Sequence, residues 1–523
     1  MSQQHLPSNC DVVVIGSGNA GFSAAMTARQ NGAKNVVLVD KCPEGWAGGN
    51  SYFTAGAFRT VHAGLQDLQP LVNNIDANTA GIIDLDPYTH DDFQNDLMRV
   101  TAGRSDVELA RILIQDSKDA IRWLAGQGVR FQLSFNRQAY KANGRYKFWG
   151  GLALKTEDGG KGLIEDLIRA AHKHGVKIFW SATAKSLLSD PETGAVRGVV
   201  VEQNGKQHVV EAKAIILAAG GFEANPRLRS AYLGNNWDLA YVRGTPYNTG
   251  DCLEMAIRDV SAKQAGNWSG CHAVAWDANA APNTGNRDIS NQFTKSGYPL
   301  GIMVNNRGER FVDEGVDLRN FTYATFGKAI LAQPDGMAFQ IWDTKTIPWL
   351  RSEEYRDSIA HKIHANSIIE LADKCVAEGL QCRQQFIDTL TEFNQSAHAH
   401  RRENPALTWD PAILDGVSTQ AKAHSLRLPK TNWALPIDEA PFLAVKVVCG
   451  ITFTFGGLAV NPETAAVIST NNGEIPGLFC AGEMVGGLFY GNYPGGSGLT
   501  SGAVFGRRAG RAAADLVAST STP

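Results

Sequence analysis

The stretch DVVVIGSGNAGFSAAMTARQNGAKNVVLVD, residues 11–40, decides the fold of the N-terminal part of this chain. An apolar segment leads into Gly16-x-Gly18-x-x-Gly21, an alanine-rich amphipathic segment follows, and a second apolar segment ends at Asp40. This order predicts a strand, a helix and a second strand. The first glycine permits a tight turn, the second lets the backbone approach a pyrophosphate, and the third lets the helix pack closely on the strand. The stretch therefore predicts a dinucleotide site.

The start of the predicted helix indicates how that site would work. Its N–H groups and the positive end of its dipole would face phosphates, and Asp40 is suitably placed for a ribose hydroxyl. The alternative is a glycine-rich turn in an α/β layer that binds no ligand. The next stretch, KCPEGWAGGNSYFTAGAFRTVH at residues 41–62, is a long glycine-rich connection rather than another strand–helix unit. It favours the extended FAD over NAD.

Composition excludes several other classes of protein. The 523 residues are 43% hydrophobic and 19% charged, with a net charge of −3, and they contain no basic tract. We therefore expect a soluble globular protein that does not bind nucleic acid. No apolar run reaches the roughly 18 residues that span a bilayer, and no secretory signal is expected. The eight cysteines are scattered without a C-x-x-C pair, which indicates reduced cytosolic thiols and no iron–sulfur or other metal site.

The pattern along the chain predicts an interrupted domain. We assign residues 1–267 to the first part of a nucleotide-binding domain, 268–435 to an inserted domain and 436–523 to the second part. In the first part, a capping box from Ser105 to Glu108 predicts a helix that runs to about Gly126. Turn signals near 191–194 and 204–205 predict a β-meander that returns to a parallel sheet through AIILAAGGF, residues 214–222. In the inserted domain, Ser367 with Glu370 predicts another helix start.

Landmarks throughout the chain resemble those of a known flavoprotein family. They are the N-terminal glycine motif, GGNS, ILAAGGF, NTGD, VNNRGERFVDE, FTFGGLAV and FCAGEMVGG, in that order. Together they resemble the family of fumarate reductase, succinate dehydrogenase and 3-ketosteroid dehydrogenase. The resemblance implies an α/β, Rossmann-like FAD-binding domain, with an inserted α+β capping domain that closes over the substrate. Within the family, EGWAGGNSYFTAGAFRTVH at 44–62 and GGLFYGNYPGGSG at 486–498 most resemble the FAD-dependent tricarballylate dehydrogenases, which oxidise propane-1,2,3-tricarboxylate to cis-aconitate.

The resemblance also implies a set of FAD-binding residues. They are Gly16, Gly18, Ala20, Gly21, Asp40 and Lys41 at the ADP part, Gly48, Gly49, Asn50, Ser51 and Gly56 in the following loop, Ala184, Ala219, Gly220 and Asp251 further along the chain, Glu483 at a ribityl or ribose hydroxyl, and Ser497, Gly498 and Leu499 at the pyrimidine end of the flavin. Succinate dehydrogenases tether the flavin through a histidine. Asn50 stands at the matching position here, so we expect noncovalent FAD.

The resemblance gives a chemical reason for the many glycines in residues 486–498, the late glycine cluster. The resemblance places it beside the flavin and ahead of a helix. Negative charge gathers at the pyrimidine end when the flavin accepts hydride, and backbone N–H groups together with the helix dipole would stabilise that charge. Glycines permit the close approach. The alternative is a mobile glycine loop.

Two residues match the substrate machinery of the family. Arg319 falls near the catalytic arginine that shuttles a proton, and the alternative is a surface ion pair with Asp313 or Asp317. Arginine is normally protonated, with a pKa of about 12 or more, so it acts as a base only transiently in a dry, cationic pocket. His272 matches a histidine that grips a substrate carboxylate, and the alternative is a structural histidine.

Two other positions depart from fumarate reductases. Thr452 stands where that enzyme has a histidine, and Tyr493 stands where it has an arginine, which argues against fumarate or succinate as the substrate. Tyr493 with Gly496 resembles the carbonyl-polarising pair of 3-ketosteroid dehydrogenases, and it could bind a neutral carbonyl or a carboxylate oxygen. A tricarboxylate would need further cations to bind it. Four residues are candidates, and the alternative for each is a solvated surface group: Arg59, His62, Arg145 and Arg243.

The leading functional prediction is an FAD-dependent dehydrogenase that desaturates a small polycarboxylate. The alternatives are a 3-ketosteroid or other cyclic-ketone dehydrogenase, a fumarate reductase-like enzyme working in the reductive direction, and a flavin-binding protein without turnover. No second dinucleotide motif for NAD(P)H is evident. The resemblance implies a separate electron-acceptor protein bound to the membrane. We expect a cytoplasmic protein that associates with the membrane only peripherally, through that partner.

Overall fold

The computed structural model of the chain describes residues 5–148 and 150–520, without the side chains of Arg137 and Asn320. The strands are β1 (Asn9–Ile15), β2 (Val36–Val39), β3 (Ala57–Phe58), β4 (Ile83–Leu85), β5 (Phe131–Leu133), β6 (Ala139–Ala142), β7 (Arg145–Phe148), β8 (Leu154–Thr156), β9 (Lys177–Phe179), β10 (Ala182–Ser189), β11 (Val196–Gln203), β12 (Lys206–Leu217), β13 (Tyr241–Val242), β14 (Gln264–Asp277), β15 (Ile302–Asn305), β16 (Met337–Asp343), β17 (Ile363–Ala365), β18 (Phe442–Leu458), β19 (Ala466–Ile468) and β20 (Glu474–Cys480).

The α-helices follow the same chain order. They are α1 (Asn19–Gln30), α2 (Leu65–Leu68), α3 (Ala77–Ala80), α4 (His90–Thr101), α5 (Val107–Gly126), α6 (Phe135–Gln138), α7 (Gly159–Lys173), α8 (Pro226–Leu228), α9 (Asp251–Val260), α10 (Tyr323–Leu331), α11 (Ser352–Tyr355), α12 (Ile368–Ala377), α13 (Arg383–Glu403) and α14 (Ser497–Ser519).

The chain forms two compact units. The first unit holds the residues up to 233, 244–271 and those from 453 on, and the second holds 234–243 and 272–452. The sequence placed the boundaries at 267/268 and 435/436. The second boundary differs most, because β18 is one continuous strand and its first half pairs with β16 of the second unit, from Phe442 opposite Asp343 to Val448 opposite Met337.

The main sheet of the first unit is parallel at its centre. β12, β1, β2 and β9 run side by side in parallel, and β20 pairs in parallel with the end of β12. β10, β11 and β12 form an antiparallel meander that leads into this sheet, as the sequence predicted. Two smaller sheets, β3–β8–β5 and β4–β7–β6, lie in the same unit. All of β2 and residues 12–15 of β1 are apolar and buried, as expected when helices cover a parallel sheet.

Helices α1 and α14 pack with almost no space between their backbones. A Cβ added at Gly506 would lie 2.5 Å from the carbonyl oxygen of Ala20, and one added at Gly510 would lie 2.3 Å from that of Ala24. Only glycine permits this approach. The consequence for the site is that the beginnings of both helices are held side by side.

The predicted helix starts have different outcomes. Ser367 caps α12 by accepting from the N–H of Glu370 at 3.1 Å, so that prediction is confirmed. The prediction that Ser105 caps α5 is wrong. Asp106 is the cap and accepts from the N–H groups of Glu108 and Leu109, each at 3.0 Å. Ser105 instead donates to the carbonyl of Leu488 at 2.6 Å, a partner distant in the chain that a local pattern cannot reveal.

The second unit is built on a different sheet. Its order is β13–β18–β16–β15, with β14 and β17 also paired to β18. β15, β16 and β17 pair antiparallel with their neighbours, whereas β13 pairs in parallel with β18. Helices α12 and α13 contribute Leu371 and Phe386 to the core over this sheet. This mixture of antiparallel strands and helices agrees with the α+β class predicted for the insertion.

Candidate active site

The early glycine turn is shaped for two different purposes. Gly16 has φ +110°, and a Cβ there would lie 2.3 Å from the carbonyl oxygen of Ala218; a Cβ at Gly21 would lie 1.9 Å from that of Gly16. These two glycines are required by packing. Gly18 has an ordinary φ of −75°, and a Cβ there would meet Ser51 only at 3.6 Å. Nothing in the protein demands glycine at that position, so its openness fits the approach of a pyrophosphate.

The acidic residue after β2 is held rigidly. Asp40 Oδ2 accepts from the N–H and the hydroxyl of Ser17, both at 2.7 Å, and Oδ1 accepts from the N–H of Cys42 at 2.9 Å. Beside it, Lys41 forms an ion pair with Asp251 at 2.5 Å and also contacts Thr249. The burial of Asp251 acts to raise its pKa, but Lys41 reverses this and the pKa is lowered. Two predicted FAD residues that are 210 positions apart therefore meet.

The loop that carries Gly48, Gly49, Asn50 and Ser51 crosses the start of α1. Ser51 Oγ accepts from the N–H of Asn19 at 3.1 Å, and the N–H of Gly48 donates to Ser17 Oγ at 3.2 Å. Asn50 donates through Nδ2 to Glu223 and accepts through Oδ1 from the N–H of Thr245 at 3.0 Å. Both ends of its amide are thus engaged.

The late glycine cluster leads directly into α14. Gly496 is the residue before the helix, with φ +83° and no side-chain cap. Ser497, Gly498 and Leu499 form its first turn, where the N–H groups and the positive end of the dipole lie. Asn19, the first residue of α1, donates through Nδ2 to the carbonyl of Leu499 at 2.7 Å. The two glycine regions, distant in sequence, therefore meet within the first unit.

The other predicted FAD residues lie around this junction. Ala20 is in the first turn of α1 and is buried, as is Ala184 on β10. The N–H of Ala219, just after β12, donates to Met484 Sδ at 3.2 Å. A Cβ at Gly220 would lie 2.4 Å from Asn248. Gly56 is explained by packing alone, because a Cβ there would lie 2.1 Å from Thr156 Oγ1.

Glu483 lies opposite a carboxyl group that the sequence analysis missed. Glu483 Oε1 accepts from the N–H and hydroxyl of Thr454 at 2.7 and 3.0 Å. Glu223 is fully buried. Burial, followed by repulsion from Glu483, raises the pKa of Glu223 well above its usual range. The sequence signal for Glu223 was its position two residues after the pair Gly220-Gly221.

Tyr493 stands in an aromatic cluster. Its ring centroid lies 5.3 Å from that of Phe453, 5.5 Å from Phe489 and 6.2 Å from Phe455. The rings meet at steep angles, which suits the aromatic quadrupoles. Within the first unit, the Tyr493 ring is therefore part of an apolar, aromatic cluster.

Arg59 supports the late glycine cluster and is not a solvated surface cation. Only 3% of it is exposed. Nε donates to the carbonyl of Gly495 at 2.9 Å, and Nη1 pairs with Asp96 at 2.7 Å and donates to Tyr88 at 2.6 Å. Its backbone carbonyl accepts from Thr500 at 2.7 Å. The Arg59 charge is compensated within the protein.

His62 is buried and uncharged at neutral pH. Burial lowers its pKa to about 4, and its Nδ1 accepts from the N–H of Gly64 at 3.2 Å. His62 therefore supplies no positive charge to a substrate at pH 7. Arg145 is a surface residue, bonded to Asp84 at 2.6 Å, so the surface alternative describes it.

Arg243, His272 and Thr452 come together in the second unit. Arg243 Nη1 donates to Thr452 Oγ1 at 3.4 Å, and its guanidinium lies 5.6 Å from the ring centroid of Trp276. Burial, with the Arg243 charge second, lowers the pKa of His272 to about 3. His272 is therefore a neutral group beside a permanent cation, an arrangement that suits the binding of an anion.

Arg319, also in the second unit, is half-buried before α10. Its Nη1 lies 3.4 Å from Ser296 Oγ, which donates to Glu354 at 2.6 Å. Its Nε is buried without a hydrogen-bond partner. Burial acts to lower the pKa of Arg319, but Tyr323 and Glu354 outweigh it and the pKa is raised. Asp313 accepts from the N–H groups of Gly315 and Thr431 instead of pairing with Arg319.

No helix within residues 5–148 and 150–520 is both long and apolar enough to cross a membrane. In the same part of the chain, no group of three or more His, Cys, Asp or Glu side chains is arranged to hold a metal ion.

Comparison with known proteins identifies the family. The family model described as FAD binding domain matches residues 11–499. The "Fumarate reductase (cytochrome)" of Shewanella frigidimarina is 26% identical over 505 residues, which cover 96% of this chain and 77% of the relative. The "4-oxocyclohex-2-ene-1-carboxylate 5-dehydrogenase" of Sinomonas cyclohexanicum is 27% identical, covering 97% and 94%.

Solved structures agree in fold. The 3-ketosteroid Δ1-dehydrogenase of Sterolibacterium denitrificans matches with a TM-score of 0.72 and 20% identity, covering 98% of this chain and 100% of the other. The predicted fold class, an FAD-binding domain with an inserted cap domain, is confirmed. So are FAD as cofactor and oxidoreductase activity on CH–CH bonds. The chain belongs to the FAD binding domain family.

Proposed function

We propose that this protein desaturates a small polycarboxylate, converting tricarballylate to cis-aconitate. The observation that carries the proposal is the cluster of Arg243, His272 and Thr452 in the second unit. Thr452 stands where the sequence of fumarate reductases has a histidine. The Arg243 guanidinium, which bonds to Thr452, replaces that lost donor with a permanent cation.

The chemistry of the cluster suits a carboxylate. Arginine presents planar N–H donors that match two carboxylate oxygens at once. A neutral His272 adds a further hydrogen-bond donor or acceptor, and binding of an anion would favour its protonated form. We propose that a substrate carboxylate is held here. In the first unit, Tyr493 with the N–H of Gly496 is proposed as a pair of hydrogen-bond donors to a substrate oxygen.

Arg319 is proposed to handle the proton that leaves the carbon next to a carboxylate. When bound, FAD supplies the acceptor for the hydride from the neighbouring carbon. Arg319 is firmly protonated, a state that suits proton donation in the reductive direction. For oxidation, Arg319 must first release its own proton. Ser296, bonded to both Arg319 and Glu354, offers the first step of a path for it.

The rest of the redox cycle is proposed from the family resemblance. A separate, membrane-bound acceptor protein would take the electrons, and the protein would work in the cytoplasm and meet the membrane only through that partner.

A second candidate is a cyclic-ketone dehydrogenase. The aromatic wall of Phe453, Phe455 and Phe489 around Tyr493 favours a flat, apolar substrate at that hydroxyl. The relative from Sinomonas cyclohexanicum is named for a substrate that carries both a ring ketone and a carboxylate. Tyr493 would donate a hydrogen bond to the ketone of such a molecule.

Anaerobic titration of the yellow holoprotein separates these functions. Tricarballylate should bleach the flavin absorption, whereas succinate and a 3-ketosteroid should act poorly. Bleaching by 4-oxocyclohex-2-ene-1-carboxylate or by the steroid alone would establish the second candidate. In the reverse experiment, dithionite-reduced protein is mixed with cis-aconitate or fumarate. Reoxidation by fumarate without bleaching by tricarballylate would establish a reductase, and no response to any ligand would favour a flavoprotein without turnover.

A further inference from the structure

Glu223 is a buried carboxyl group in the FAD region for which the proposed reaction has no use. It lies after Gly220 and Gly221 and is 0% exposed. Its Oε1 accepts from Asn50 Nδ2. Its Oε2 is also buried and has no hydrogen-bond partner. An ionised carboxylate in this setting would be unfavourable, because one of its oxygens would be buried without a hydrogen-bond donor.

Glu483 is the neighbouring carboxyl group, and it differs in both partners and exposure. The donors to it include the N–H and hydroxyl of Thr454 at 2.7 and 3.0 Å and Asn248 Nδ2 at 3.5 Å. Glu483 is half-buried rather than fully enclosed. The donors favour the ionised form at Glu483, whereas burial favours the protonated form at Glu223.

The side chains that bond to the two carboxyl groups include Asn50, Asn248 and Thr454, which are uncharged. Arg229 Nη1 donates to the backbone carbonyl of Glu223 at 2.6 Å. Two carboxyl groups placed together in this way cannot both ionise at low cost, and they titrate as a pair. Burial and mutual repulsion raise the pKa of Glu223 well above its usual range, and burial raises that of Glu483 to about 7.

We propose that Glu223 and Glu483 carry a single negative charge between them when FAD is oxidised, and that the pair takes up one further proton from solvent when FAD is reduced. The step is a protonation only: the remaining carboxylate and a solvent proton become a second carboxylic acid. The reason is electrostatic. FAD held by the Asn50 loop and Glu483 would carry more negative charge when reduced than when oxidised, and that charge would raise the proton affinity of the carboxylate.

The proposal goes beyond the choice of substrate and depends only on bound FAD. It makes the pair a proton-storing site that keeps the charge of the cofactor region constant through the redox cycle. The half-buried Glu483 gives the pair access to solvent, while Glu223 holds its proton away from water.

The test is the pH dependence of the FAD midpoint potential in the holoprotein, measured by equilibration with redox dyes. The range is about pH 6 to pH 9, which lies above the ordinary carboxyl pKa of about 4. When one proton is taken up with two electrons, the equilibrium constant for reduction changes tenfold per pH unit. The midpoint potential then changes by about 30 mV per pH unit. The wild-type slope should exceed that of Glu483→Gln by this amount near neutral pH, because the buried Glu223 that remains stays protonated in both redox states. Glutamine keeps an oxygen for Thr454 but cannot gain a proton. Glu192→Gln, in an exposed turn, is the matched control and should keep the wild-type slope.

Equal slopes in wild type and Glu483→Gln would overturn the proposal. If Glu483→Gln does not retain FAD, reduced-minus-oxidised infrared spectra of the wild-type holoprotein decide the question. The proposal expects a gain on reduction of a carboxylic acid C=O band that shifts in D₂O. A spectrum without such a gain would overturn it.

Discussion

Asn19 and Leu499 are 480 positions apart, yet the side chain of the first donates to the carbonyl of the second at 2.7 Å. The bond joins the first turn of α1 to the first turn of α14. Since each turn carries N–H groups and a positive dipole end, it brings two anion-binding helix starts together. The FAD region of this protein is therefore built by tertiary contact between the two ends of the chain.

Replacing Asn19 should loosen that region. We expect Asn19→Ala to lose about 1 kcal/mol of stability, the net value of one hydrogen bond, and to retain FAD more weakly. Thermal unfolding and the fluorescence of released flavin measure the two effects. Asn31→Ala is the control, because Asn31 bonds only within its own helix, to the carbonyl of Thr27 at 2.8 Å. An equal release of flavin from both variants would show that Asn19 has no special part in the site.

Arg243 should determine substrate affinity. We expect Arg243→Gln to raise KM for tricarballylate by about 10-fold or more, since hydrogen bonds to charged groups contribute about 1.5–3 kcal/mol, with FAD content unchanged. Steady-state kinetics with an artificial acceptor provide the measurement. Arg145→Gln removes a surface arginine instead and should leave KM as in wild type. An unchanged KM in Arg243→Gln would remove the carboxylate role.

Arg319 should be needed for chemistry rather than for cofactor binding. Arg319→Ala should slow bleaching by substrate about 10²–10⁴-fold, the usual contribution of a positioned proton-transfer group. Dithionite should still bleach the variant fully. The comparison variant is Arg307→Ala, whose side chain is exposed in the same unit and whose rate should match wild type. A rate near wild type in Arg319→Ala would exclude Arg319 from the proton transfer.

His62 should make stability depend on pH in a defined direction. Its pKa is about 4 in the folded protein against 6.5 for an ordinary histidine. Between these values the unfolded chain binds more protons, so the free energy of unfolding falls as pH drops from 6.5 towards 4. The loss from His62 should reach about 3 kcal/mol. His62→Gln should flatten the melting temperature over this range relative to wild type, and parallel curves would contradict the prediction.

The flavin should be held without a covalent bond. Asn50 occupies the position of the tethering histidine, and its amide is engaged with Glu223 and Thr245. Acid denaturation followed by filtration should therefore release all the flavin into the filtrate. Flavin fluorescence that remains on the denatured chain would show a covalent link at another residue.

Local patterns in the sequence were enough for the cofactor fold. The strand–glycine turn–helix–strand order at residues 11–40, the meander before ILAAGGF and the cap at Ser367 all depend on neighbours within a few positions. Ser105 shows the limit of such patterns: it has the right spacing for a cap, but a carbonyl far along the chain takes its hydroxyl.

The charge states in the site were decided by tertiary structure alone. From sequence, Arg59 and His62 are equivalent basic candidates. In the fold, Asp96 compensates the first and burial keeps the second neutral. Arg243 gains its role only because β13 places it beside β18, where the N–H of Arg243 donates to the carbonyl of Ile451 at 2.9 Å. Glycine spacing and apolar periodicity by themselves determined that a dinucleotide domain would form, because backbone geometry is local. Charge and proton affinity depend on burial and on partners far away in the chain, and only the folded structure sets those.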